Sequence, residues 1–143
     1  MQRKSTERAK DLLKTPGTTL ALCNGETEIL SQKRGVAPLV ELLENKKYLN
    51  GFSAADKVVG KGAAFLYVLL NIDAVYAAVI SRPALDVLLR YGIVTEYDTL
   101  VDNIINRRGD GICPIETAVL GIDEPTKAYE AIQKKLLELN QKQ

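Results

Sequence analysis

The chain has 143 residues, of which 46% are hydrophobic and 26% are charged, an ordinary composition for a globular domain. Its 19 basic and 18 acidic residues leave a formal charge of +1, which excludes a whole-domain attraction to nucleic acid or anionic membrane. The absence of histidine excludes Ser-His-Asp and Cys-His nucleophile systems and, with only two cysteines, argues against a catalytic zinc site. We expect one cytoplasmic domain spanning residues 1–143, with no cofactor and no metal.

The first third of the chain alternates between helical and strand patterns. Asn24-Gly25 is a strong hairpin signal, because both central residues of the tightest turn need positive φ. Pro16-Gly17 ends the helical pattern before the hairpin, and Pro38 suits the first turn of a helix after it. The predicted elements are a helix at 7–14 within the N-terminal segment 1–16, strands at 18–23 and 27–31, and a helix within 35–51.

The middle third contains the patterns of a buried core. A run that is apolar on nearly all sides except at Lys61 is typical of a buried helix, and a β-branched and aromatic run indicates a central strand. Ser81 has no base beside it in the sequence, so we interpret it as a helix N-cap rather than a nucleophile. The predicted elements are a helix at 58–70, a strand at 74–80, a helix opening at Ser81, a strand at 93–97, and an ambiguous segment 98–105 that favours a helix.

The last third predicts a loop and two helices. A short helix is expected to start at Pro114, and Asp123 is expected to cap the C-terminal helix, with its tail within 123–143. This order of elements indicates an α/β protein. We expect a central mixed sheet that begins with the hairpin and has helices on both faces.

Two glycines near the start of the predicted buried helix require an explanation. In a helix interior Gly60 and Gly62 would each cost about 1 kcal/mol relative to alanine. One explanation is ligand approach, because the amides of a helix N-terminus attract anions and Lys57 or Lys61 would add charge. The other is close packing of the helix against the sheet. The residues themselves leave both explanations open, and the phosphate-loop spacing is absent.

The stretch NRRGDGICPIE, residues 106–116, is a second candidate site. Its arginines offer planar donors for phosphate or carboxylate, and its glycines permit unusual backbone angles. A cysteine at a helix N-terminus tends to be reactive. The alternative is a loop with solvated arginines, a buried cysteine and a glutamate in the first helical turn. The residues concerned are Asn106, Arg107, Arg108, Gly109, Gly111, Cys113 and Glu116.

Three motifs in the chain read S-x-x-D-K-V-V-G-K-x-A-A, S-x-x-A-x-x-x-L-x-x-x-G-I and N-R-x-G-x-G-x-C-P-x-E. Together they resemble a bacterial and archaeal family of uncharacterised proteins, domain of unknown function 1893, from about residue 20 to residue 116. The resemblance implies a cytidine-deaminase-like fold, a three-layer α/β/α sandwich. It also favours a functional site over a plain loop at residues 106–116.

Zinc deaminases of that superfamily carry His-Ala-Glu or Cys-Ala-Glu on one helix and Pro-Cys-x-x-Cys at the start of another. The equivalent segments here read VVGKGAAFL and SRPALDVLL, without the zinc ligands and without the proton-shuttling glutamate. Zinc-dependent deamination is therefore not expected from the resemblance, because fold alone does not imply function.

The leading hypothesis is metal-independent binding of a small anionic ligand, such as a nucleotide or nucleoside derivative. Lys57, Lys61 and Arg107 would hold the anion, while Asp56 and Glu116 would accept hydrogen bonds from sugar or base. The alternatives are a metal-independent enzyme that uses Lys61, Cys113 or Glu116, and a structural or interaction module such as a homodimer. The predicted ligand-binding residues are Asp56, Lys57, Gly60, Lys61, Ser81, Asn106, Arg107, Gly109, Gly111, Cys113 and Glu116.

Overall fold

The structure is a computed structural model that describes residues 2–106 and 108–141. Within them a five-stranded mixed sheet has the order β2-β1-β3-β4-β5. β1 is antiparallel to β2 and β3, whereas β3, β4 and β5 run parallel. The predicted α/β class and the mixed sheet with its initial hairpin are confirmed. The strands are β1 Leu20–Cys23, β2 Glu28–Ser31, β3 Ser53–Val59, β4 Ala74–Ser81 and β5 Val94–Val101.

Helices cover both faces of this sheet. On one face α1 packs Ala9 and Leu13 against Cys23, Ala55 and Tyr76 of the strands. On the other face α2, α3 and α4 enclose the larger core, and α6 packs outside α3. No helix among the described residues is long and apolar enough to cross a membrane. The helices are α1 Gln2–Leu13, α2 Ala37–Glu44, α3 Lys61–Leu69, α4 Arg82–Arg90, α5 Pro114–Ala118 and α6 Pro125–Gln141.

The hairpin forms at the predicted position, but with a longer turn. Cys23 pairs with Glu28, so four residues connect the strands. The Asn24 side-chain oxygen accepts the amide hydrogens of Glu26 and Thr27 at 2.9 and 2.7 Å. Because the side chain of Asn24 supports the turn in this way, only Gly25 needs positive φ, at +96°.

The predicted helix at 58–70 is wrong at its start, because residues 58 and 59 belong to β3 and the helix α3 begins at Lys61. The sequence analysis missed β3 altogether. Its first half is Ser53-Ala54-Ala55, fully buried small residues that have weak strand propensity. β3 is a strand because it pairs with β1 on one side and β4 on the other, a constraint that a local pattern does not carry.

Two further predictions at the C-terminal side need correction. The segment 98–105 does not form a helix, since β5 continues to Val101 and Ile105 then bridges to Ile112. β5 is an edge strand with both faces partly exposed, so it lacks a clear alternation of apolar and polar residues. Asp123 was predicted to cap the final helix, but α6 starts only at Pro125. The carboxylate of Asp123 pairs with Arg90 at 3.3 Å.

The N-cap of α4 provides a direct stability test. Ser81 is fully buried, and its hydroxyl oxygen accepts the amide hydrogen of Ala84 at 3.2 Å, as predicted. In the Ser81→Ala variant that amide loses its partner, so we expect the free energy of unfolding to fall by about 1 to 2 kcal/mol in urea denaturation. The exposed Thr126→Ala variant serves as the control and should change it by less than about 0.5 kcal/mol. Equal stability of wild type and Ser81→Ala would contradict the capping role.

Candidate functional site

A cavity of about 350 Å³ opens at the edge of the sheet where the parallel strands end. Crevices at the carboxyl ends of parallel strands are the usual ligand sites of α/β sheets, and this volume lies within the usual range for ligand pockets. The walls are mainly apolar and include Leu20, Val36, Ile104 and Ile115. The geometry therefore identifies this cavity as the candidate site.

Polar groups reach the cavity from three parts of the chain. β3 contributes Asp56 and Lys57, and the segment after β2 contributes Lys33 and Arg34. The thiol-bearing Cys113 and the carboxylate of Glu116 come from the start of α5. The Lys33 Nζ atom forms an ion pair with the Glu41 carboxylate on α2 at 2.5 Å. The lining thus combines carboxyl groups, cations and one thiol around an apolar interior.

The carboxylate of Glu116 caps the N-terminus of α3. Its two oxygens accept the backbone amide hydrogens of Lys61 at 2.7 Å and of Gly62 at 3.0 Å. The first amides of a helix have no partner within the helix, and the helix dipole favours negative charge there. Glu116 lies 55 residues further along the chain than Lys61, and it accepts both of these amide hydrogens at the start of α3.

This contact explains the two glycines. A Cβ atom on Gly60 would lie 2.5 Å from the carboxyl carbon of Glu116, and one on Gly62 would lie 2.8 Å from a methyl carbon of Ile115. Neither glycine has positive φ, so close approach is the reason that a side chain is excluded. Of the two explanations considered for the sequence, close packing applies, although against α5 rather than the sheet, and ligand approach stays a prediction. An anion does approach the helix, but it is the protein's own carboxylate.

Asp56 is a carboxyl group in the cavity lining whose titration is strongly altered by its surroundings. Burial raises its pKa from 3.8 to about 7, although a hydrogen bond from the Tyr67 hydroxyl opposes the change. The Tyr67 side chain on α3 is fully buried, and its hydroxyl donates to the Asp56 Oδ2 atom at 2.7 Å. A carboxyl group that titrates near neutral pH in a cavity is a typical feature of functional sites.

Two predicted site residues direct their side chains elsewhere. The Nζ atom of Lys61 donates to the carbonyl oxygen of Val119 at 3.2 Å and lies 5.8 Å from the centre of the Phe65 ring. Ser81 is buried at the start of α4 and does not line the cavity. Both residues stabilise helix ends, and any role of theirs in ligand binding stays a prediction.

The loop before α5 is organised by its own polar residues. The side-chain oxygen of Asn106 accepts the amide hydrogen of Gly109 at 2.9 Å, and its Nδ2 atom donates to Asp110 at 2.9 Å. Gly109 has φ of +77°, and the carbonyl oxygen of Gly111 accepts the amide hydrogen of Asn106 at 2.8 Å. These contacts fit a structural role for the loop. Arg107, a predicted anion ligand, lies outside the described residues.

Three groups at the site were not predicted from the sequence, namely Lys33, Arg34 and Tyr67. Arg34 lines the cavity from the segment that follows β2. Tyr67 reaches Asp56 from inside the core, and the only signal for it was a hydroxyl within an otherwise apolar helix. Across residues 2–106 and 108–141, no three cysteine or carboxylate side chains lie close enough together to hold a metal ion.

The close approach at Gly60 can be tested by substitution. In Gly60→Ala the new methyl group must displace the Glu116 carboxylate, so we expect a loss of about 2 kcal/mol or more in the free energy of unfolding. Gly111→Ala is the control, because its Cβ would meet its nearest neighbour at an ordinary 3.7 Å.

A double-mutant cycle assigns the loss to the contact itself. In a Glu116→Ala background the Gly60→Ala substitution should cost at least about 1 kcal/mol less than in the wild-type chain. Chemical denaturation of the four proteins gives the coupling, and purely additive losses would contradict the geometry.

Comparison with known proteins agrees with the three motifs. The model of the family described as Domain of unknown function (DUF1893) matches residues 8–136. A crystal structure of a DUF1893 family protein, TM1506 from Thermotoga maritima, superposes with a TM-score of 0.87 at 29% identity. The match covers 94% of this chain and 92% of that chain. A search of curated proteins found no match. Because the family model spans most of its length, the chain belongs to the DUF1893 family.

Proposed function

We propose that the chain binds a small ligand with an anionic group, such as a nucleotide or nucleoside derivative, in the cavity at the end of β3. The observation that carries the proposal is the combination of an apolar cavity of about 350 Å³ with two carboxyl groups and a basic rim. Ligand pockets are mainly apolar, with a few polar groups that fix orientation. The apolar walls suit a ring, and the polar groups suit the ends of such a ligand.

The basic part of the rim is the expected anion contact. Arg34 and Lys57 are exposed at the cavity, and neither forms an ion pair within the described parts of the chain. A guanidinium group suits the planar recognition of phosphate or carboxylate, and an ammonium group adds a compact charge. Lys57 was predicted for this role. Arg34 takes the place that the sequence analysis gave to Lys61, whose amine contacts Val119 instead.

We further propose that this site derives from a cytidine-deaminase-like scaffold. α3 and α4 begin directly after the parallel neighbours β3 and β4, which supports the equivalence of their starts with the two zinc-motif helices of the deaminases. The Ile115 and Glu116 side chains lie against the start of α3. On this proposal, residues of α5 occupy the corner where a deaminase would hold its metal.

Native mass spectrometry and calorimetry test the binding proposal. Gently purified protein is expected to carry, or to take up, a nucleoside monophosphate. Arg34→Ala and Lys57→Ala should each weaken binding about five- to tenfold, because each removes one charge from an exposed contact. Lys47→Ala is the matched control, since Lys47 is an exposed lysine outside the cavity lining. Equal weakening in all three variants, or no binding of any nucleotide, would contradict the proposal.

A metal-independent enzyme is the second candidate function. The observation that favours it is the pKa of about 7 at Asp56, which suits proton transfer at neutral pH. Cys113 lines the same cavity and is half-buried. Activity would then require Asp56, whereas a pure binding function requires only the polarity of its side chain.

The pKa of Asp56 also predicts a dependence of stability on pH. Because the folded-state pKa lies above the unfolded value, the folded protein binds an extra proton between about pH 4 and pH 7, and stability falls as the pH rises through that range. Asp56→Asn mimics the protonated form and lacks this loss. The difference in the free energy of unfolding, variant minus wild type, should increase by about 2 kcal/mol from pH 5 to pH 8, as measured by urea unfolding. A difference that does not change with pH would contradict the raised pKa.

A further inference from the structure

We infer that Glu116 sets the ligand specificity of the cavity. The inner end of the cavity, at Glu116, accepts a nitrogen heterocycle that bears an amino group and rejects a second anion. This inference rests on the proposed function and specifies which part of the ligand lies at the inner end of the cavity. The anionic end of the ligand then lies at Arg34 and Lys57, on the exposed rim.

The anion position at the start of α3 is already filled. The amide hydrogens of Lys61 and Gly62 are both directed at the Glu116 oxygens, at 2.7 and 3.0 Å. A phosphate or carboxylate brought to this corner would meet another carboxylate in a largely apolar cavity. Like charges at such a distance repel strongly where water is excluded.

Glu116 retains capacity to accept further hydrogen bonds. A carboxylate has about four acceptor positions on its two oxygens, and the two backbone amides use two of them. The same carboxylate lines the cavity. Since its position is fixed from behind by α3, a ligand donor finds an acceptor that needs no reorganisation.

Asp56 is the other carboxyl group in the lining. Its Oδ2 atom accepts the hydrogen of the Tyr67 hydroxyl at 2.7 Å, and its Oδ1 atom accepts the Val58 amide hydrogen at 3.4 Å. At neutral pH the protonated form of this group can donate a hydrogen bond, and the ionised form can accept one. Glu116 and Asp56 therefore offer the cavity both kinds of hydrogen-bonding group, which suit a heterocycle that carries an amino group and a ring acceptor.

The remaining walls of the cavity are mainly apolar. Leu20, Val36, Ile104 and Ile115 provide apolar surfaces around these carboxyl groups. A flat heterocycle buries its faces against such surfaces while its edge stays hydrogen-bonded. The rim cations are exposed, so the anionic end of the ligand keeps part of its hydration.

Paired nucleoside monophosphates test the inference, because the two members of each pair share their sugar and phosphate. Calorimetry would compare cytidine with uridine monophosphate and adenosine with inosine monophosphate, where an amino group is replaced by an oxo group. In the pair that binds more tightly, we expect the amino member to bind about ten- to hundredfold better, the usual value of a hydrogen bond to a charged acceptor.

A variant and a second readout identify the residue responsible. In Glu116→Gln the preference for the amino member should fall to about threefold or less. If that variant does not fold, hydrogen exchange on the wild-type chain replaces it. The Lys61 and Gly62 amides should stay protected in the complex, because the ligand does not displace Glu116.

The outcomes separate this inference from the proposed function. Equal binding of amino and oxo members would overturn the inference and leave the binding function intact. Loss of amide protection at Lys61 and Gly62 on binding would also overturn it, since it would mean that the ligand anion replaces the carboxylate. The absence of binding by all four nucleotides would overturn both proposals.

Discussion

The contact between the Glu116 carboxylate and the first amides of α3 is the constraint on which the candidate site depends. It requires glycine at position 60, because a side chain there would overlap the carboxyl group. It holds α5 against the start of α3 and thereby places Cys113 and Ile115 in the wall of the cavity. It also decides the charge of the cavity, since it puts a carboxylate where a bare helix N-terminus would attract an anion.

Much of the architecture followed from local sequence signals. The hairpin at Gly25, the strand β4 and the capped start of α4 each have a short-range cause, a turn residue, an apolar β-branched run or an N-cap. β3 was missed because Ser53-Ala54-Ala55 form a strand only through pairing on both sides. The prediction of the edge strand β5 was too short because neither of its faces is fully buried.

The candidate site was predictable in position but not in detail. Asp56, Gly60, Cys113 and Glu116 were singled out from the sequence, and the structure brings all four to one cavity. Which of them pairs with which depends on tertiary distances that no spacing encodes. The same limit applies to Lys61, whose charge suggested an anion contact although its amine lies on the carbonyl oxygen of Val119.

The sequence distance between Glu116 and α3 also matters for how the protein is made. The contact spans 55 residues, so it cannot form until α5 has left the ribosome. Until then the first amides of α3 lack their carboxylate, and the apolar walls of the cavity lack Ile115. A nascent chain that ends before residue 116 therefore presents an open, partly apolar crevice, which makes this part of the fold dependent on late, non-local closure.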